Sequence, residues 1–152
     1  MKLNVLRAAG VLLMCAFISA AHAADDGVVD AMEEYMMFVD YSGSTIRPEQ
    51  IPAADWKNIY VIDARDADQY ASEHIPGAVN IEWRQVLDHR DELPRDRSVL
   101  IYCNSGTLSA QAGFALRLAG HENVRILQGG LDEWKRLGGF EAYERAVAEE
   151  AR

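Results

Sequence analysis

The sequence predicts a parallel α/β domain. Short β-rich runs alternate with helical patterns, and each run is apolar throughout, as in strands buried on both faces. No internal repeat or low-complexity block interrupts the stretch from about residue 44 to 140, so one sheet with one set of helices is expected.

Residues 28–39 place Val28, Met32, Tyr35, Met36 and Val39 on one helical stripe, expected to pack on the domain. The methionines also make this helix the surface through which a protein partner is expected, if there is one. Tyr41 to Ser44 form a polar, glycine-containing break. Residues 46–50 read as a short extended piece entering a helical turn, with Pro48 suited to its first position. Ile59-Tyr60-Val61-Ile62 is a buried strand ending at Asp63, and Asp66 to Ser72 a short helix. A turn through His74-Ile75-Pro76-Gly77 leads to a strand at 78–81, and a helix is expected over 83–90. Residues 98–102 form a further strand, followed by a helix from about 108 to 119 with Ala110, Phe114, Leu116 and Leu118 among its apolar positions. Residues 124–127 form the next strand. A helix from about Leu131 carries Trp134 and Leu137, and 141–152 is a charged, helical or frayed tail.

The first 23 residues have the layout of a secretory signal peptide. Lys2 and Arg7 precede an apolar stretch from Ala8 to Ile18, and Ala21-His22-Ala23 is a small-x-small cleavage site. The apolar run is too short to span a bilayer and remain there. Residues 24–43 then form an N-terminal helical extension, and the expected destination is the periplasm or the secreted space. Cleavage after Ala23 removes two basic and no acidic residues, so the chain becomes more acidic than its full-length net charge of −9. Such a surface repels nucleic acid and anionic lipid headgroups, and no membrane association is expected after cleavage.

With Cys15 in the leader, Cys103 is left without an intramolecular partner in an oxidising compartment where cysteines usually pair. It lies at the end of a strand, where open α/β folds bind ligands. Asn104-Ser105-Gly106-Thr107 is small enough to curl tightly, and the following helix adds unsatisfied N–H donors. This makes an anion-binding nest that lowers a thiol's pKa and yields a nucleophilic thiolate open to solvent. A buried, inert strand-end cysteine is the alternative. His74, His89 and His121 are dispersed, with no zinc-ligand spacing. Asp63 and Arg65 read as a structural pair bracing the loop, His74 as a turn brace, and Trp83 and Trp134 as core or rim packing.

Three segments together resemble the single-domain rhodanese family: VIDARDADQYASEHIPGAVNI (61–81), VLIYCNSGTLSA (99–110) and LQGGLDEWKRLGG (127–139). Their D-x-R…Y…H-I-P-G-A and G-G-x-x-x-W…G patterns are specific in combination. The resemblance implies a three-layer α/β domain over residues 44–140, a central mainly parallel sheet flanked by helices. It implies a catalytic Cys103 that alternates between thiolate and persulfide, with Asn104, Ser105, Gly106, Thr107, Leu108 and Ser109 cradling the substrate. It further implies a small sulfur donor, a thiol or cyanide acceptor, and no metal or organic cofactor. Many loops of this family read C-x-x-G-x-R-S, whereas this chain has Leu108 at the arginine position and no Lys or Arg between Cys103 and Arg117. The expectation is therefore weakened capture of thiosulfate, a less charged donor such as a persulfide or polysulfide, and no phosphatase activity. A non-catalytic binding module on the same fold is the competing expectation, and a redox thiol protein a weaker one because no resolving cysteine is present.

Overall fold

The computed structural model describes residues 26–152; the expected signal peptide and its cleavage site lie outside the described residues. The chain forms two compact units, one ending at Phe38 and the other running from Val39 to Arg152. In the first, helix α1 spans Asp26–Phe38 and has no buried residue. Among the described residues, no helix is long and apolar enough to cross a membrane.

The second unit is built on a five-stranded sheet. Strands β1 (Thr45–Ile46), β2 (Tyr60–Asp63), β3 (Val79–Asn80), β4 (Val99–Tyr102) and β5 (Val124–Leu127) lie in the order β1-β5-β4-β2-β3, and every neighbouring pair is parallel. Helices α2 (Ala67–Ser72), α3 (Thr107–Leu118), α4 (Gly130–Arg136) and α5 (Gly139–Glu150) complete it. The continuous apolar runs follow from the period-two geometry of a sheet covered on both sides. Ile62, Val99, Ile101, Val124 and Ile126 enter one hydrophobic cluster with Ala112 and Leu116 of α3. Val61, Leu100, Tyr102 and Leu127 point the other way, into a cluster with Ile51, Trp56, Leu131 and Trp134. A three-layer α/β domain results, with helices on both sides of the sheet.

Two expectations need correcting, and two are sharpened. Residues 83–89 form successive turns, and only Arg90–Glu92 closes a short 3-10 helix. Val86 is buried but Leu87 is exposed, so no two-turn apolar stripe holds a helix against the core. In α3 the buried positions are Ser109, Ala112, Gly113 and Leu116, spaced three, four and seven residues apart; Ala110 faces solvent. The tail is a packed helix: Phe140 and Tyr143 of α5 join the second cluster, Phe140 meets Trp134 edge-on at 4.7 Å, and Glu150 pairs with Lys57. The extended piece expected from Ile46 begins one residue earlier, as the edge strand β1 over Thr45–Ile46, with Ile46 opposite Leu127.

Gly113 shows how closely α3 lies on the sheet. A Cβ there would come within 2.7 Å of Ile126 Cγ1 and 3.1 Å of its Cδ1. Gly113→Ala therefore overpacks this contact and is expected to destabilise the domain by about 1–3 kcal/mol, read as a lower urea midpoint with an unchanged slope.

Candidate active site

Cys103 follows β4 directly, and the chain then turns through 104–106 into α3. Gly106 makes this turn with φ of 97°, a left-handed conformation that residues with a Cβ resist. The turn brings the Gly106 N–H to 3.2 Å from Cys103 Sγ. Ser109, one turn into α3 and buried, places its hydroxyl 3.6 Å from the sulfur and 3.1 Å from the Gly106 carbonyl. That single hydroxyl proton can serve either acceptor, so ionisation of the sulfur draws it toward Sγ. Burial pushes the thiol up. The Ser109 N–H and hydroxyl and the N–H groups of Gly106 and Leu108 outweigh it and hold Cys103 below the ordinary thiol value.

The sulfur is not open to solvent as expected: Cys103 is only 3% exposed. The amides nevertheless aim at it, because they come from the loop that covers it. Burial and a lowered pKa therefore coexist at this one sulfur.

The rest of the loop is held from both sides. Asn104 accepts from Arg65 Nη1 at 3.2 Å through its side chain, and its carbonyl accepts from the Asp132 N–H at 3.0 Å. The Cys103 carbonyl accepts from the Leu131 N–H at 2.8 Å. Ser105 and Thr107 are exposed and bond each other at 3.1 Å. Leu108 is 36% exposed, so the position of the family's usual arginine presents a hydrocarbon to solvent.

Asp63 and Arg65 form the expected brace. The Arg65 guanidinium forks onto Asp63, with Nε at 2.9 and 3.1 Å from the two carboxylate oxygens and Nη2 at 2.6 Å, and it also reaches the Glu73 carbonyl at 2.6 Å. The hydrogen bond to Asp63 raises the Arg65 pKa further, so this buried cation stays charged. His74 sits apart from the loop. Its Nδ1 is 2.8 Å from the Tyr70 carbonyl and its ring stacks on Tyr70 at 4.0 Å, a turn brace. Among the described residues no group of three or more His, Cys, Asp or Glu could hold a metal ion.

Two supports were not singled out from sequence. Tyr102 donates to Asp63 Oδ2 at 2.7 Å and accepts from the Ile75 N–H at 3.0 Å; burial, with the Asp63 bond, raises its pKa and keeps it neutral. Gly130, at φ of 60°, lies so near the loop that a Cβ would fall 2.3 Å from the Cys103 carbonyl oxygen. The tyrosine just before the cysteine and the Gly-Gly doublet were the available signals.

The lowered thiol pKa gives a signed expectation. Thiolate absorbance and alkylation rate should both titrate below the ordinary cysteine range, and Ser109→Ala should move the inflection upward. Because the folded pKa is depressed, the linked stability is fully present above the unfolded thiol pKa and fades as pH falls through the folded value. Ser109→Ala should narrow that window.

Residues 49–137 match the rhodanese-like domain family. A sulfurtransferase of Allochromatium vinosum is 35% identical over 85 residues, which cover 56% of this chain and 79% of that protein. The thiosulfate sulfurtransferase GlpE of Coxiella burnetii is 30% identical over 79 residues, covering 52% of this chain and 74% of its own length. Among solved structures, a human single-domain sulfurtransferase superposes with a TM-score of 0.55 at 22% identity, covering 61% of this chain and 96% of that one, a likeness of fold. The sheet order, the cysteine loop and the matched length lead to one conclusion: the chain belongs to the rhodanese-like domain family.

Proposed function

We propose that the protein is an exported sulfurtransferase that carries a sulfane sulfur on Cys103. The observation that carries this reading is the set of donors converging on one sulfur: the Gly106 amide at 3.2 Å and the Ser109 hydroxyl at 3.6 Å, with the thiol pKa drawn down. The thiolate attacks the outer sulfur of a donor, a new S–S bond forms at Sγ, and the donor's own S–S bond breaks. With thiosulfate the leaving group is sulfite; with a persulfide it is a thiolate. A nucleophilic thiol or cyanide then takes the outer sulfur and restores the thiolate. This divides one hard transfer into two easier ones, and the same N–H groups stabilise the anion at the start and the end of each half-reaction.

The loop lacks the cation that clamps a sulfonate, which favours persulfide or polysulfide donors over thiosulfate. Export rests on the leader pattern in residues 1–23, upstream of the described structure.

Intact-mass measurement after exposure to thiosulfate, polysulfide and a persulfide tests the reading. One sulfur should add to the protein, leave with cyanide or thiol, and never add to Cys103→Ser; an adduct that persists in that variant refutes the assignment. Leu108→Arg should raise kcat/KM for thiosulfate by about ten- to a hundred-fold, the range of a charged hydrogen-bonding clamp.

A further inference from the structure

Beside the cysteine loop lies a cavity of about 380 Å³ whose charges the transfer step leaves unused. Its wall runs from Ser105 and Gly129 past Gln128 to Arg47, Glu49 and Glu133. Strand register brings these residues together. Ile101 pairs with Ile126, so Tyr102 lies level with Leu127, which itself pairs with Ile46. Cys103, Gln128 and Arg47 are the next residues along β4, β5 and β1, and leave the sheet at the same edge. Two inter-strand spacings separate the first from the last, roughly 10 Å between backbones. One arginine side chain and one small molecule span that gap.

Arg47 is exposed and, among the described residues, forms no ion pair. Glu49 likewise forms none, although it lies near enough to Arg136 to help raise that group's pKa; Arg136 itself is paired with Glu133. The cavity thus offers a cation and an anion, neither held in an ion pair at contact distance. A dianionic oxyanion would meet two carboxylates along with the guanidinium. A molecule bearing both an ammonium and a carboxylate satisfies each charge.

Resting on the sulfurtransferase reading above, we infer that this cavity seats an α-amino-acid thiol or its persulfide, with the carboxylate on Arg47, the ammonium on Glu49 and the sulfur directed past Ser105 to Cys103. As donor, R–S–SH gives its terminal sulfur to the Cys103 thiolate; the S–S bond of the donor breaks, R–S⁻ leaves, and the proton stays on the transferred sulfur. As acceptor, R–S⁻ takes the outer sulfur by the reverse of that step. Arg47 supplies from outside the loop the anion recognition that Leu108 does not.

The test compares sulfur transfer from polysulfide-loaded protein to cysteine and to uncharged 2-mercaptoethanol. The ratio of the two rates, taken variant against wild type, cancels the intrinsic reactivity of each thiol. Arg47→Ala and Glu49→Gln should each lower the cysteine-to-2-mercaptoethanol ratio about tenfold, and Arg47→Lys should recover part of it. An unchanged ratio, or an equal fall for both thiols, overturns the inference. Glutathione alongside distinguishes the source: Arg47 dependence confined to cysteine assigns the free amino acid, and dependence in both assigns the wider class. A second measurement needs no transfer. S-methylcysteine, with both charges and no sulfur to give, should shift the amide NMR signals of Ser105, Gln128 and Gly129, and less so in Arg47→Ala. Shifts in a protein whose Cys103 never takes up sulfur leave the site standing and overturn the proposed function. Sulfur loading without shifts overturns the site alone.

Discussion

Asp63 ends β2 with a fully buried carboxylate, and the geometry of the cysteine loop follows from how that charge is satisfied. An isolated buried charge is untenable, and stripping a partner from a buried pair typically costs about 3–5 kcal/mol. The Arg65 guanidinium and the Tyr102 hydroxyl both close on it, and its side chain also takes the Arg65 N–H at 3.0 Å. Tyr102 is the residue before Cys103, and Arg65 extends to Asn104, the residue after it. One carboxylate therefore fixes the chain on both sides of the sulfur. The Leu131 and Asp132 amides complete the hold from the start of α4.

With its flanks pinned, the loop can spend its own N–H groups on Sγ. An acidic chain can therefore hold a thiol below its ordinary pKa. The net charge of −9 acts through solvent and is screened within about 8–10 Å in physiological salt, whereas the loop's amides and the Ser109 hydroxyl act at contact distance. No side-chain cation takes part between Cys103 and Arg117. Main-chain dipoles and one hydroxyl thereby govern the ionisation of the sulfur, while charged side chains such as Arg47 stand at neighbouring strand ends, outside the loop.

Strands β2, β4 and β5 were legible in the sequence because a sheet buried on both faces writes itself as an uninterrupted apolar run. Two-residue β1 carries no periodicity, so only its extended character could be read. The stretch 83–90 misled because Val86 and Leu93 are core residues without a second turn of apolar positions between them. At the site, the cysteine, the Gly106 turn and the Asp63–Arg65 pairing were readable from local chemistry. The partners of that pairing were not: Asn104 and Tyr102 reach it only because β4 lies beside β2. The cover over Cys103 is also a product of tertiary packing, which no local pattern encodes. Gly130 announces a special backbone position, but its neighbour depends on where α4 starts relative to β4.

The depth of the sulfur has a chemical corollary. A sulfur only 3% exposed resists reactants that must spread oxygen atoms around it. Successive oxidation to sulfinic and sulfonic acids needs that room, so the enclosure should shelter the thiol from it. The loop that lowers the pKa of Cys103 is thus also its cover, so activation and protection of the thiol come from the same few residues.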